Sequence, residues 1–303
     1  MVYNRVMPEL PEVETIRRGL EQAIVGLKFT KVKTLHPKSL QTPIDVVENH
    51  LIGAEVKSLS RYGKVLVINL DNDHSLMFHL KMTGQVVLVH ASGRRSAGGH
   101  PTKSMADKLP DNSTKVIFDL SDGSKLYFND QRIFGWIRLV PTEEIARDAL
   151  IARMGPEPLT EAFELKKFTA ILARRPISPI KAVILDQSTV AGVGNINAEE
   201  SLNLAKIHPA TPAADLKPAQ VKRLYEAIKT IIALGVEHGG TSFTNYVNAL
   251  GGVGDYLHHA RVFRRQGLEC PVCGSEIIKT RVAGRGTHYC PKCQPAPKVE
   301  AKK

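Results

Sequence analysis

The sequence predicts a two-domain α+β protein: a β domain led by one helix, then a helical domain, then a small cysteine module. Three observations carry this. Apolar residues fall in short strand-like runs from Lys28 to about Val140 and recur at helical spacing after Pro141. The 303 residues match two domains of ~150 residues each. All four cysteines lie beyond residue 269. A composition of 43% hydrophobic and 23% charged residues excludes a disordered or fibrous chain. No apolar run approaches the ~18 residues that a membrane helix needs. Glu9, Glu12 and Glu14 interrupt any secretory pattern in the opening residues. The expected location is the cytoplasm, with no membrane partner.

Residues 8–26 read as a helix. Pro8 and Pro11 suit its first turn, Glu12 and Glu14 complement its positive end, and Gly26 can end it. Val13, Ile16, Leu20 and Ile24 form one apolar face. Strand runs follow at Lys64–Leu70, Gln85–His90, Lys115–Leu120 and Lys125–Asn129, with Asp122-Gly123 as a hairpin turn. They predict a β-sandwich or a barrel. Residues 91–114, rich in Gly, Ser, Pro and Lys, read as a mobile loop. Helices are expected at 143–153, 161–173, 178–188, 197–204 and 217–237, with the break Ala191-Gly192-Val193-Gly194-Asn195 between two of them. Gly155, Pro156 and Pro158 place a hinge at 142–155.

The net charge of +11 implies an anionic partner, and nucleic acid is the usual one. Residues 261–303 hold ten basic and three acidic side chains, so most of that charge sits beside the cysteines. Cys270, Cys273, Cys290 and Cys293 read C-x2-C-x16-C-x2-C. Two such knuckles place four thiolates around one Zn2+, with Ile277 to Tyr289 as a hairpin between them. A pair of disulfides is the competing reading, and a cytosolic chain that keeps its thiols reduced disfavours it. Four thiolates leave no open position, so the metal is expected to be structural.

Four separated stretches resemble the formamidopyrimidine-DNA glycosylases, bacterial enzymes that excise oxidised purines. They are Pro8-Glu9-Leu10-Pro11-Glu12-Val13-Glu14-Thr15; Tyr62-Gly63-Lys64; His79-Leu80-Lys81-Met82-Thr83-Gly84 with Asp130-Gln131-Arg132-Ile133-Phe134-Gly135; and Lys181 through Gly192-Val193-Gly194-Asn195-Ile196 to Glu199, continuing to the cysteines. Leu10 favours this branch over the endonuclease VIII branch, which typically has Gly there. The resemblance implies an N-terminal β-sandwich with an N-terminal helix, and a C-terminal helical domain with a helix–two-turn–helix element and a zinc ribbon. The domains would be 8–141, a hinge at 142–155, 156–260 and 261–294, with a basic tail at 295–303. It also implies a monomer acting on double-stranded DNA with oxidised bases or abasic sites, cytoplasmic and nucleoid-associated.

The residue roles are carried over from that resemblance. Pro8 is the Schiff-base nucleophile through its amine, Glu9 a proton donor, and Glu12 a weaker candidate for orienting the site. Lys64 is expected to contact phosphate and donate a proton in β-elimination, and Arg285 to do so in δ-elimination. A target base must be flipped out of the duplex; Met82, Arg132 and Phe134 match the residues that fill the gap, two of them apolar wedges. Lys181 and Asn195 are expected to contact DNA phosphate, and residues 244–258 to contribute to the damaged-base pocket. Cys270, Cys273, Cys290 and Cys293 hold the zinc. The sequence departs from the family at Asn197, commonly Tyr, at Gln131, frequently Pro, and at Ile133, frequently Arg.

Seven residues precede Pro8, and within a longer chain a proline nitrogen is a tertiary amide with no nucleophilic lone pair. Met7-Pro8 suits initiator removal, so residues 1–7 are expected to be an extension absent from the mature protein. Three readings compete with a purine glycosylase/AP lyase. They are an endonuclease VIII-like enzyme for oxidised pyrimidines, a non-catalytic damaged-DNA binder with Pro8 blocked, and a zinc-ribbon transcription or translation factor.

Overall fold

A computed structural model describes residues 7–100, 108–240 and 254–297. The chain divides into two compact units. The first comprises the residues up to Ala152 together with Gly235–Tyr256, and the second comprises Arg153–Leu234 together with the chain from Leu257 onward. The helices and the cysteine module thus share one unit, and Gly235–Tyr256 groups with the β unit rather than with the helical domain.

The first unit opens with α1 (Leu10–Ile24) and then forms two antiparallel sheets. The strands are β1 (Phe29–Thr34), β2 (Val56–Tyr62), β3 (Val65–Leu70), β4 (His74–His79), β5 (Gly84–Val89), β6 (Arg95–Gly99), β7 (Thr114–Leu120), β8 (Lys125–Asp130) and β9 (Trp136–Pro141). One sheet runs β1-β7-β8-β5-β6 and the other β2-β3-β4-β9. Strand alternation explains how they face each other. Leu66, Ile68, Leu76, Phe78, Ile137 and Leu139 from one sheet share a core with Val86, Leu88, Val116, Phe118, Leu126 and Phe128 from the other. Phe78 meets Phe118 and Phe128 edge-on at ring separations of 6.1 and 6.2 Å. Val13, Ile16, Leu20 and Ile24 put the apolar stripe of α1 into the same core. The β-sandwich led by a helix is therefore the observed architecture.

Two expectations in this unit are corrected. The stretch 91–114 is not one loop: β6 lies inside it as the edge strand beside β5, and β7 begins at its end, while residues 101–107 lie outside the described residues. Gly98 and Gly99 serve close packing rather than looseness, since a Cβ on Gly98 would overlap Ile16 Cγ1 of α1 and one on Gly99 would overlap the Gly84 carbonyl oxygen. A short helix, α2 (Ile44–Leu51), also interrupts the run of strands, burying Val47 and Leu51 one helical turn apart.

The second unit contains α3 (Leu165–Leu172), α4 (Ile180–Leu185), α5 (Asn195–Leu204), most of α6 (Pro218–Glu237) and a hairpin of β10 (Ile278–Val282) and β11 (Arg285–Tyr289). Phe163 stacks on Tyr225 at 4.7 Å, and the Tyr225 hydroxyl donates to the Phe163 carbonyl at 2.7 Å. The helix expected at 143–153 is a 3-10 turn, Thr142–Arg147. It stops because the Asp148 carboxylate accepts from Leu150 N–H at 2.9 Å and from Arg138 at 2.7 Å. Gly155, read as part of a hinge, is packed: its N–H donates to the Gln187 carbonyl at 2.8 Å, and a Cβ there would stand 2.6 Å from two carbonyl oxygens of the α4–α5 turn.

A Gly98→Val substitution is expected to unseat α1 and lower stability by about 1–3 kcal/mol, read as a lower urea midpoint.

Candidate active site and metal centre

In the first unit, Pro8 and Glu9 stand at the start of α1, and both are buried. Glu9 is the residue that caps the helix: its N–H donates to Glu12 Oε2 at 2.8 Å, one half of a capping box with its own side chain on the N–H of Glu12. Gly240, at φ +78°, closes over this carboxylate, and a Cβ there would stand 2.7 Å from Glu12 Oε1. Sequence reading missed Gly240 because it lies more than two hundred residues from Glu12 along the chain. Residues 241–253, which hold most of the expected base-pocket segment, lie outside the described residues.

Lys64 sits in the turn between β2 and β3 and is 6% exposed. The turn is tied to α1. Glu14 accepts from Arg61 Nε at 3.1 Å, and Arg61 Nη1 donates to the Gly63 carbonyl at 2.8 Å. Arg17 and Arg18 also donate to Glu14, at 3.0 and 2.8 Å. Burial opposes the Glu14 charge and is the largest single influence, but the hydrogen bonds from Arg17, Arg18 and Arg61 together outweigh it and hold its pKa at about 2. In the sequence Glu14 shows only as a helix-dipole residue, because Arg61 is distant along the chain. Nearby His79 is pushed down to about 3, first by burial and then by the charges of Lys81, Lys64 and Arg138. It is neutral, and its Nδ1 accepts the Lys81 N–H at 3.1 Å.

Met82, Arg132 and Phe134 come together. Arg132 Nη1 lies 3.2 Å from Met82 Sδ, and its guanidinium lies 4.7 Å from the centre of the Phe134 ring. Phe134 is 51% exposed, which a core residue would not be. The residue that builds this cluster is Asp130, fully buried at the end of β8. It accepts from Thr83 Oγ1, from Arg132 N–H at 3.1 Å and from Gly135 N–H at 2.6 Å, while Thr83 Oγ1 also accepts from Arg132 N–H at 3.0 Å. One carboxylate thus pins both loops.

The second unit holds the remaining candidates. Lys181 is fully buried, and its ammonium donates to Glu199 at 2.8 Å, the Gly286 carbonyl at 2.9 Å and Thr287 Oγ1 at 2.7 Å. Three donors on three acceptors leave none for a phosphate. Asn195, the first residue of α5, likewise turns its amide inward, to Glu199 at 2.9 Å and Gly286 at 3.4 Å. Both side chains brace the β10–β11 hairpin. Glu199 completes this brace by pairing with His288 at 2.8 Å. Glu200 caps the entry to the module by accepting the N–H groups of Arg261, Val262 and Phe263; its burial raises the pKa despite those three donors. In the turn before α5, the Gly192 N–H is taken by Gln187 at 2.9 Å. Arg285 is exposed, directly after the turn Ala283-Gly284, where both residues have positive φ.

Cys270, Cys273, Cys290 and Cys293 converge with all four sulfurs within 4.8 Å of one another. The pairs Cys273–Cys290 and Cys270–Cys293 are 3.4 and 4.0 Å apart, bracketing the ~3.8 Å that a tetrahedron of ~2.3 Å Zn–S bonds requires. The cluster fits one structural zinc. Gln294, fully buried, links it to α5: its side chain accepts from Asn203 at 2.8 Å and from Cys290 N–H at 3.1 Å.

Two outcomes follow from this geometry. Glu14, held below its ordinary pKa, stabilises the fold fully above about pH 4.5, and that contribution is lost as pH falls through about 2. The urea midpoints of the wild type and a Glu14→Gln variant should therefore differ by a constant amount near neutrality and converge only below about pH 4.5. Cys290→Ser should lose bound zinc, measured by metal analysis, and lose DNA affinity with it.

Three family profiles match the chain in order: the formamidopyrimidine-DNA glycosylase N-terminal domain at residues 7–137, the H2TH domain of the same family at 154–247, and a zinc finger found in FPG and IleRS at 267–296. A formamidopyrimidine-DNA glycosylase of Desulforamulus reducens is 41% identical over 293 residues, covering 96% of this chain and all of that one. One from Enterococcus faecalis is 40% identical, covering 95% and 97%. Among solved structures, Lactococcus lactis Fpg in complex with abasic-site DNA is similar at a TM-score of 0.84 and 35% identity, covering 95% of this chain and all of that one. The same enzyme with DNA containing an oxidised pyrimidine gives 0.83, 35% and the same coverage. Among the described residues no helix is long and apolar enough to cross a membrane. The chain belongs to the formamidopyrimidine-DNA glycosylase family.

Proposed function

We propose that this DNA glycosylase excises oxidised purines, 8-oxoguanine and formamidopyrimidines, from double-stranded DNA and then cuts the strand, with Pro8 as the nucleophile. The observation that carries the reading is the exposed Met82–Arg132–Phe134 cluster on its buried Asp130 anchor, in the same unit as the Pro8–Glu9 helix start. An enzyme that extracts a base needs a wedge for the gap it leaves. Met82 and Phe134 fill the vacated stack, and Arg132 hydrogen-bonds the orphaned partner base.

The chemistry follows from the amine. The Pro8 nitrogen lone pair attacks the sugar C1′, the bond to the damaged base breaks, and the base leaves with a proton. Glu9 protonates the sugar ring oxygen, which opens the ring and gives an iminium. The iminium acidifies the C2′ proton, whose loss expels the 3′ phosphate; a second elimination expels the 5′ phosphate. Lys64 serves the first elimination and Arg285 the second, each as proton donor and phosphate contact. An α-amino group at a chain start has a pKa of about 7.7–8.0, so a working fraction is neutral near pH 7. The reading requires the Met7–Pro8 bond to be absent from the acting form, with residues 1–7 removed and the protein working as a monomer in the cytoplasm, on the nucleoid. The Lactococcus complex with an oxidised pyrimidine supports a second, broader substrate reading.

The test is an incision panel using a chain that starts at Pro8. A duplex with 8-oxoguanine opposite cytosine should be cut faster than one with an oxidised pyrimidine, leaving phosphates on both ends of the gap. Preference for the pyrimidine would move the protein to the second reading, and no excision of either lesion would leave a DNA binder. Arg285→Ala is expected to keep base excision while slowing the second elimination by about 100-fold, so that the β-elimination product accumulates.

A further inference from the structure

Ile133 stands between Arg132 and Phe134 at the tip of the loop that Asp130 anchors. Its backbone has φ +58°, in the left-handed region. Glycine enters that region freely and asparagine readily, whereas a β-branched side chain is strained there. The side chain is also 37% exposed, so core packing does not account for an isoleucine at this position. The strain is imposed from outside the residue. Asp130 and Thr83 fix the Arg132 N–H on one side, and Asp130 fixes the Gly135 N–H on the other. Gly135 has no room for a side chain: a Cβ there would stand 2.8 Å from Phe128 and 3.1 Å from Asp130 Oδ2. Ile133 holds a strained place in this anchored loop, with an apolar group exposed.

We propose that Ile133 is a fourth wedge residue, an apolar specificity contact that packs against the bases or sugar edges beside the vacated position once the loop has entered the duplex. Burial against DNA gives the side chain the apolar environment that it lacks in the free protein and explains why the loop carries a strained isoleucine where glycine or asparagine would be comfortable. The inference rests on the reading of Met82, Arg132 and Phe134 as an inserted cluster and adds a residue to it. Its consequence is a trade of stability against lesion binding at a single position.

The experiment compares Ile133→Gly, Ile133→Asn and Phe134→Ala with the wild type. Three quantities are read: thermal midpoint, affinity for a duplex with a tetrahydrofuran abasic-site analogue opposite cytosine, and fluorescence of a 2-aminopurine next to the analogue as a report of unstacking. Affinity for the undamaged duplex is the control. Both Ile133 variants are expected to keep or raise the midpoint, to lose lesion affinity on the order of tenfold, to weaken the 2-aminopurine signal and to bind undamaged DNA as before. A merely structural isoleucine would not lower lesion binding while the fold gains stability. If Phe134→Ala loses lesion binding and both Ile133 variants keep it, the inference fails and the inserted cluster stands. If Phe134→Ala also keeps it, the cluster reading itself fails, and the inference with it.

Discussion

Glu14 is one carboxylate shared by three arginines, and the proposed catalytic half of the molecule is organised by it. Through Arg61 it grips the Gly63 carbonyl and thereby the turn that carries Lys64. Its own place is fixed by α1, which buries Val13 and Ile16 in the sandwich core on either side of it. A helix seated by hydrophobic packing thus sets the position of a lysine some fifty residues away, through a charge that stays ionised across the working pH range. The same helix carries Pro8 and Glu9 at its start, so Pro8, Glu9 and the Lys64 turn are held within one compact unit.

Asp130 repeats this logic for the loops that carry Met82, Arg132 and Phe134. A fully buried carboxylate is costly unless its acceptors are filled, and here two backbone N–H groups and one hydroxyl fill them. The result is a stiff loop whose outward side chains are Arg132, Ile133 and Phe134. In the second unit, Lys181 and Glu199 play the bracing part, holding the ribbon hairpin to α5. Each unit therefore positions its exposed residues with a buried charge, and the exposed residues carry the contacts to DNA in the proposed function.

What was legible in the sequence was local. The cysteine spacing gave the metal cluster, since ligand geometry depends on knuckles of four residues. The proline and glutamate pattern gave α1, and the two loop motifs gave the Met82–Arg132–Phe134 cluster. What was not legible was set by contacts between distant residues. The bracing contacts of Lys181 and Asn195 are among these, because nothing near them in sequence reveals Gly286 and Thr287, about a hundred residues on. Composition misread the 91–114 stretch, because glycine chosen for close approach to Ile16 looks the same as glycine chosen for freedom. The helix α2 buries only two of its apolar residues, Val47 and Leu51, while Ile44 and Val46 stay exposed, so its periodicity is too weak to stand out among strands.

The central claim is that the Pro8 nitrogen bonds to the sugar. The most direct measurement is mass spectrometry of the natively expressed protein after borohydride reduction on an 8-oxoguanine duplex, with the adduct mapped to a residue. The account predicts a chain that begins at Pro8, with the sugar remnant on that nitrogen. An adduct on a lysine, or a crosslinked chain that retains Met1, would contradict it.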